Sequence, residues 1–263
     1  MTSFLKAVLL CVTLSCSSPV IAAGPDCSRP LTLALHEHGL LYDSATDRGI
    51  DRDIADELIR RSGCKITVTV IQRARIWQLI ESGALDFSLS GITNAERDQF
   101  AGFAWYFSNK YYLLVRRDAG VAGISDFPRN STLRLGVIRG FRYSKTANAL
   151  VDQLAEGRRV SFASGLDPLY ELLLGNRIQG MIIEPFDYPA AENGKIREQS
   201  SILEFGDDPV PHGLIMSKKS LSTTEQGKWR EIMRAMREDG TTQRIFEKYF
   251  PAELARTLTH FSD

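Results

Sequence analysis

Long apolar runs are nearly missing from this 263-residue chain. One, Ala7–Leu14, lies near the start and none follows, and a membrane-spanning helix needs about 20 such residues. Lys6 precedes that run and small residues lead up to Ala22 and Ala23, so residues 1–23 read as a secretory signal peptide cleaved after either alanine. Cys16 does not make it a lipoprotein signal, because Thr13 stands where a lipobox leucine belongs. An excess of one charge is missing as well: 32 basic residues face 32 acidic ones, and removing Lys6 leaves 31. With no basic stripe, a nucleic-acid partner is excluded. Cysteine is scarce. Of four, Cys27 and Cys64 remain after the signal segment, too few and too far apart for a zinc site. In an oxidising compartment they form one bridge or stay as two buried thiols. Histidine is equally sparse: His36 and His38 alternate on a strand end and face one side, while His212 and His260 stand alone. No metal and no cofactor are expected. The motifs G-x-S-x-G, H-E-x-x-H and the phosphate loop do not occur, so hydrolase and kinase readings lack their parts.

What is present is an alternation of strand and helix patterns. Leu31–Leu35 reads as a strand, and Ile54, Ala55, Leu58 and Ile59 follow at helical spacing with Asp51 as the expected cap. Gly63 closes that helix before the alternating strand Ile66, Val68, Val70. Ile76, Leu79 and Ile80 mark a second helix, closed by Gly83, and Phe87 opens a third strand. After a further strand at Tyr111–Arg116 the series repeats. Strands at Leu133–Val137, Val160–Phe162 and Met181–Ile183 alternate with helices at 143–156 and Leu166–Leu174. Phe205–Pro211 is acidic and contains proline, Gly213–Met216 reads as a returning strand, and helices near Gln226–Glu238 and Gln243–Tyr249 close the chain. The expected fold is therefore α/β: two mainly parallel sheets flanked by helices. Ligands in such layers bind beyond the carboxyl ends of the strands, and two facing sets of ends make a cleft.

The segment GALDFSLSGITNAER (83–97) carries the clearest chemistry. A short apolar run stops at Ser90 and Gly91, a polar turn with Thr93 follows, Asn94 caps a helix, and Arg97 lies in its first turn. Backbone N–H groups, hydroxyls and a guanidinium together suit a carboxylate.

These residues resemble a known family, the bacterial extracellular solute-binding proteins of the polar-amino-acid type (family 3), periplasmic receptors of ABC transporters. GIDRDIADEL (49–58) resembles the family's G-F-D-x-D-[LIV], ESGALD (81–86) its L-x-S-G-x-x-D, and SGITNAER its G-[ST]-x-T-x-E-R. LLLGNRIQGMIIE (172–184) resembles its L-x-x-G-[RK]-[IV]-D-A-x-x-x-D and HGLIMSKK (212–219) its G-[IL]-A-x-x-K. The resemblance implies a two-lobed periplasmic-binding-protein fold with a two-segment hinge near Tyr111–Val115 and Pro211–Met216. Lobe 1 is expected over 24–110 and 214–263, lobe 2 over 111–213. It further implies a monomeric periplasmic protein that captures an amino acid or related carboxylate and serves an inner-membrane ABC permease. Arg97, helped by Thr93, Ser90 and Gly91, matches the arginine that holds the ligand's α-carboxylate, and Glu184 falls where an aspartate receives the α-ammonium. Without the family, Arg97 could be a surface first-turn residue and Glu184 a helix N-terminal carboxylate.

The chain also departs from the pattern. GLLY replaces Y-P-P-F, putting Gly39 at the position of the covering aromatic while Tyr42 keeps the last one. His36 stands where relatives carry an acidic or polar contact, and Arg73 replaces a second aromatic. Trp77 reads as a packing residue. Gly140-Phe141-Arg142, followed by Tyr143, replaces G-T-[ST]. Arg73, Arg97 and Arg142 near one cleft favour an acidic ligand, unless Arg73 and Arg142 only line the rim. Two other readings stay open. One is a periplasmic enzyme resembling cyclohexadienyl dehydratases, with Glu184 at raised pKa as the acid. The other is a binding protein that serves sensing.

Overall fold

The computed structural model describes residues 24–191 and 194–260, so the expected signal peptide lies outside the described residues. The first half builds β1 (Leu31–Leu35), α1 (Ile50–Ser62), β2 (Ile66–Val70), α2 (Arg73–Ser82), β3 (Phe87–Gly91), α3 (Arg97–Phe100), β4 (Ala101–Asn109) and β5 (Tyr112–Arg116). The second alternation supplies α4 (Asp126–Arg129), β6 (Leu135–Ile138), α5 (Lys145–Glu156), β7 (Val160–Ala163), α6 (Leu166–Leu174) and β8 (Gly180–Ile183). It continues through α7 (Tyr188–Ala191), α8 (Gly194–Gln199) and β9 (Ser200–Glu204) to β10 (Val210–Ser217), α9 (Thr223–Glu238), α10 (Thr241–Phe246) and α11 (Ala252–Thr259).

Two five-stranded sheets result, ordered β2-β1-β3-β10-β4 and β7-β6-β8-β5-β9. Each is parallel on one side, where βα units feed it, and antiparallel on the other. The parallel strands carry the core: Leu33, Leu35, Phe87 and Leu89 are buried, and α1 lays Ile54, Ala55 and Leu58 against them. The C-terminal helices return to the first sheet, placing Trp229 edge-on to Phe87, with ring centroids 4.7 Å apart, and Phe246 beside Phe107. This is the two-lobed fold of periplasmic binding proteins. No helix among the described residues is long and apolar enough to cross a membrane.

The chain passes between the sheets at 110–111 and again at 205–209. The hinge segments expected at Tyr111–Val115 and Pro211–Met216 are mostly strand, because β5 and β10 begin almost at once on entering their sheets. β4, β9 and α11 have no counterpart in the sequence reading. β4 follows α3 without a turn residue between them, so its aromatic run shows no boundary. Asp51 is not the cap of α1. Gly49 takes that position, and the Asp51 side chain turns inward from the first helical turn.

Cys27 and Cys64 form the bridge, with Cα atoms 4.9 Å apart, and it ties the segment before β1 to the end of α1. Closing a loop of sequence separation 37 restricts the unfolded chain by about 4 kcal/mol. The double variant Cys27→Ala/Cys64→Ala is therefore expected to lose about 3–4 kcal/mol of unfolding free energy, read as a lower midpoint in urea titration. Reduction of the wild-type protein should reproduce most of that loss, and a midpoint unchanged by both treatments would contradict the assignment.

Candidate ligand-binding cleft

The first wall of the cleft is set by how β3 ends. Ser90 sits at φ 52°, a left-handed backbone that non-glycine residues seldom adopt. Three bonds hold it there: its N–H donates to the Tyr106 hydroxyl (2.9 Å), its own hydroxyl donates to Asp51 Oδ1 (2.7 Å), and Tyr106 donates to the same oxygen (2.8 Å). Burial raises the Asp51 pKa to about 6, although both hydroxyls oppose the shift. The carbonyls of Leu89 and Ser90 in turn accept from Arg73 Nη1 and Nη2, at 3.0 and 2.6 Å. Arg73 thus points a buried guanidinium along the strand end.

Arg97 completes that wall. Asn94 Oδ1 accepts the Arg97 N–H (2.8 Å), fixing the start of α3 as its residue type suggests. Nη1 then donates to Ile92 O (3.0 Å) and Nη2 reaches across to Gly140 O in the second lobe (2.8 Å). The guanidinium lies 3.8 Å from the centroid of the Trp77 ring. Burial, with the charges of Arg73 and Arg142 behind it, lowers the Arg97 pKa to about 9, so it stays protonated at neutral pH.

The opposite wall comes from the strand ends of the second sheet. Gly140 has φ 84°, and a Cβ there would fall 2.8 Å from the Ala74 Cα. Glycine alone permits this approach, which lets the same carbonyl accept the Trp77 indole N–H (3.2 Å). Gly39 makes the reciprocal approach: its Cβ would meet Phe186 O at 2.4 Å. Glu184, at the end of β8, is buried and already engaged. Its Oε1 pairs with His38 Nε2 (2.7 Å) and its Oε2 accepts from Asn109 Nδ2 (2.9 Å). Burial alone would raise Glu184, but the bond and charge of His38 bring its pKa down. Burial works against charge on His38 too, yet Asp187, 3.4 Å away, and Glu184 outweigh it and raise its pKa.

Two further imidazoles face the cleft. His212 Nδ1 donates to Val210 O (2.8 Å), which leaves Nε2 to accept the Tyr111 hydroxyl (2.8 Å). Burial lowers its pKa to about 4. His36 is buried with no hydrogen-bond partner on either ring nitrogen, and burial followed by the nearby Arg73 charge keeps it neutral.

The cavity left between the walls is only about 20 Å³, room for a water molecule, so the lobes stand nearly closed on each other and must part to admit a small molecule. Of the residues expected to bind ligand, His36, Arg73, Ser90, Arg97, Phe141, Arg142 and Glu184 line it. Four others do not. Tyr42 is buried and spends its hydroxyl on Asp47 (3.0 Å). Thr93 is exposed and bonds Asp98, because the turn carries its side chain outward. Gly91 is packed against Ile215, so its place is sheet packing rather than contact. Tyr143 lies behind Phe141, its hydroxyl accepting the Ile138 N–H (3.2 Å). Trp77 packs in the α2 core as expected, but it also lines the cavity beneath Arg97. The sequence reading missed Tyr111, His212 and the Gly140 carbonyl. Tyr111 and His212 flank the two crossings, and only that position could have marked them.

The model of the bacterial extracellular solute-binding proteins, family 3, matches residues 39–252. No curated protein sequence matches the chain. Among solved structures, an ancestral arginine-binding protein bound to arginine is similar at 19% identity over 84% of this chain and 98% of that one, with a TM-score of 0.70. The arginine-, lysine-, histidine-binding protein ArtJ of Geobacillus stearothermophilus is similar at 17% identity over 84% and 95%, also at 0.70. The GluR0 ligand-binding core of Nostoc punctiforme in complex with glutamate is similar at 17% over 84% and 99%, at 0.68. At these identities the likeness is one of fold.

The His38, Glu184 and Asp187 cluster makes stability depend on pH. His38 has a raised pKa and so does Asp187, the latter through burial. A group raised in the folded state stabilises fully below its unfolded pKa and loses that contribution as pH rises through the folded value. Asp187, raised from 3.8 to about 7, has lost most of its contribution by neutral pH. Above about pH 6.5, the unfolded histidine value, the His38 contribution is lost as well, so thermal stability should fall as pH rises to 8. The Asp187→Asn variant should show a shallower fall, measured by circular dichroism melts; an identical slope would remove Asp187 from the account.

Proposed function

The chain belongs to the bacterial extracellular solute-binding proteins of family 3, and we propose that it captures a small carboxylate-bearing solute in the periplasm for import by an inner-membrane ABC permease. One observation carries this reading: two buried guanidinium groups, Arg73 and Arg97, meet in a cleft between the lobes with backbone carbonyls as their hydrogen-bond partners. Each keeps further N–H donors for an anion. A carboxylate gripped by Arg97 gains two parallel charge-assisted bonds where water is largely excluded. Gly140, Phe141 and Arg142 then cover it from the second lobe. The ligand shifts the equilibrium toward closure only by as much as it prefers the closed form, and the Arg97–Gly140 bond favours closure independently of it.

Binding rather than turnover fits the acid–base groups. The dehydratase-like alternative needs Glu184 as a proton donor with raised pKa, whereas its pKa is lowered and both oxygens are engaged. A positive cleft also supports the expectation of an acidic ligand, since Arg73, Arg97 and Arg142 all line it against Glu184 alone.

Arg97→Ala is expected to weaken binding at least about 100-fold, roughly 3 kcal/mol, with an unchanged far-UV circular dichroism spectrum. Isothermal titration calorimetry against acidic, neutral and basic amino acids and small organic acids measures it. Unchanged affinity for the best ligand would refute the anchor, and tight binding of basic amino acids alone would refute the acidic preference.

A further inference from the structure

In a cleft built for an amino acid, an anion must meet the ammonium group, and here the lining carboxylate is already engaged by the protein. Glu184 is the one carboxylate lining the cavity. Its two oxygens are taken by His38 Nε2 at 2.7 Å and Asn109 Nδ2 at 2.9 Å, and Asp187 stands 3.4 Å from the same His38 nitrogen. The negative charge on this side therefore answers a histidine of the protein itself. Asp51 lies behind Ser90 and accepts from two hydroxyls, and Glu37, exposed in the adjoining pocket, accepts the Ser44 N–H. The Gly140 carbonyl is shared by Arg97 and Trp77, and those of Ser90 and Ile92 accept from Arg73 and Arg97. The Tyr111 hydroxyl donates to His212.

Donors, by contrast, are in surplus. The Arg73 and Arg97 guanidinium carbons sit 5.7 and 3.8 Å from the centroid of one indole ring, Trp77, so a molecule of a few carbons reaches both. Arg142 adds a third cation at the exposed rim. His36 is nine-tenths buried or more, lines the cavity, and has both ring nitrogens unpartnered. A neutral imidazole offers one donor and one acceptor, which suits a hydroxyl or a carboxylate oxygen and brings no negative charge to balance an ammonium.

We infer that the ligand is a small dicarboxylate without an ammonium group, one carboxylate on Arg97 and the second on Arg73, with His36 reading the atoms between or beside them. This rests on the carboxylate-binding reading of Arg97 and narrows it. A ligand ammonium would face three guanidinium groups with no free anion, and like charges in a cleft screened from water repel strongly. The same charges strengthen the hold on a dianion.

Calorimetry on the wild-type protein with matched pairs decides it: malate against aspartate, and 2-oxoglutarate against glutamate. These pairs share carbon number and both carboxylates and differ in the ammonium. The expected result is binding of the ammonium-free member at least about tenfold tighter, with lactate, which has one carboxylate, weaker than malate by a similar factor or more. Aspartate or glutamate binding as well as its partner would overturn this inference while leaving the carboxylate anchor standing. Equal affinity for lactate and malate would remove Arg73 from recognition and overturn it as well. If none of these acids binds below about 1 mM while a basic amino acid does, both this inference and the acidic reading of the cleft fall. If nothing in the panel binds, the carboxylate anchor falls with them.

Discussion

Arg73 and Arg97 are buried, and their hydrogen-bond partners in the fold are carbonyl oxygens rather than carboxylates. Taking a guanidinium out of water costs several kcal/mol unless its donors are met, so two unpaired cations in one cleft constrain everything near them. The strand end has to present carbonyls, which is why Ser90 is held at a left-handed φ by Asp51 and Tyr106. An aromatic face has to stand under Arg97, and Trp77 does so. Even then burial lowers the pKa of both, and for Arg97 the charges of Arg73 and Arg142 add to it, bringing it to about 9. A bound anion relieves both costs at once.

The same groups tie the two lobes to each other. The Gly140 carbonyl belongs to the second lobe, while the Arg97 and Trp77 groups that donate to it belong to the first. Steric room for that contact is a backbone property: a side chain at Gly140 would strike Ala74, and one at Gly39 would strike Phe186. The cleft therefore closes to backbone distance, and its small volume follows.

Much of this was legible in the sequence, and the part that was not has a physical reason. The apolar periodicity of α1, α2 and α6 and the alternation of β2 report burial by one continuous face, so their positions follow from the residues. Arg97 was legible because carboxylate recognition needs a guanidinium beside a strand end, and Asn94 marks the turn that puts it there. Thr93 and Tyr42 were misplaced because sequence spacing gives the element but not the direction of a side chain leaving a turn; Thr93 rotates outward to Asp98 and Tyr42 inward to Asp47. Tyr111 and His212 lie a hundred residues apart and meet only because the chain crosses between the sheets twice at one place. Nothing local in either segment records that meeting.

The position of Glu184 shows most clearly why a motif match gives a residue without giving its task. Its place after β8 fits the family pattern, and in an amino-acid receptor that carboxylate is free to meet an ammonium. Here His38, two residues after His36 on the same strand end, reaches Glu184 from the first lobe, and Asn109 reaches it from the end of β4. Asp187, pulled close by its bond to the Glu184 N–H (3.0 Å), adds a second acid to the same histidine. The result is a buried ion pair across the lobes, satisfied on both oxygens, of the kind that is costly to break from one side. The acid expected to meet a ligand's ammonium is instead part of the contact between the lobes. Three cations then face a cavity whose lining carboxylate is already engaged, which is the arrangement expected where a fold keeps an anion grip and turns its cation grip inward.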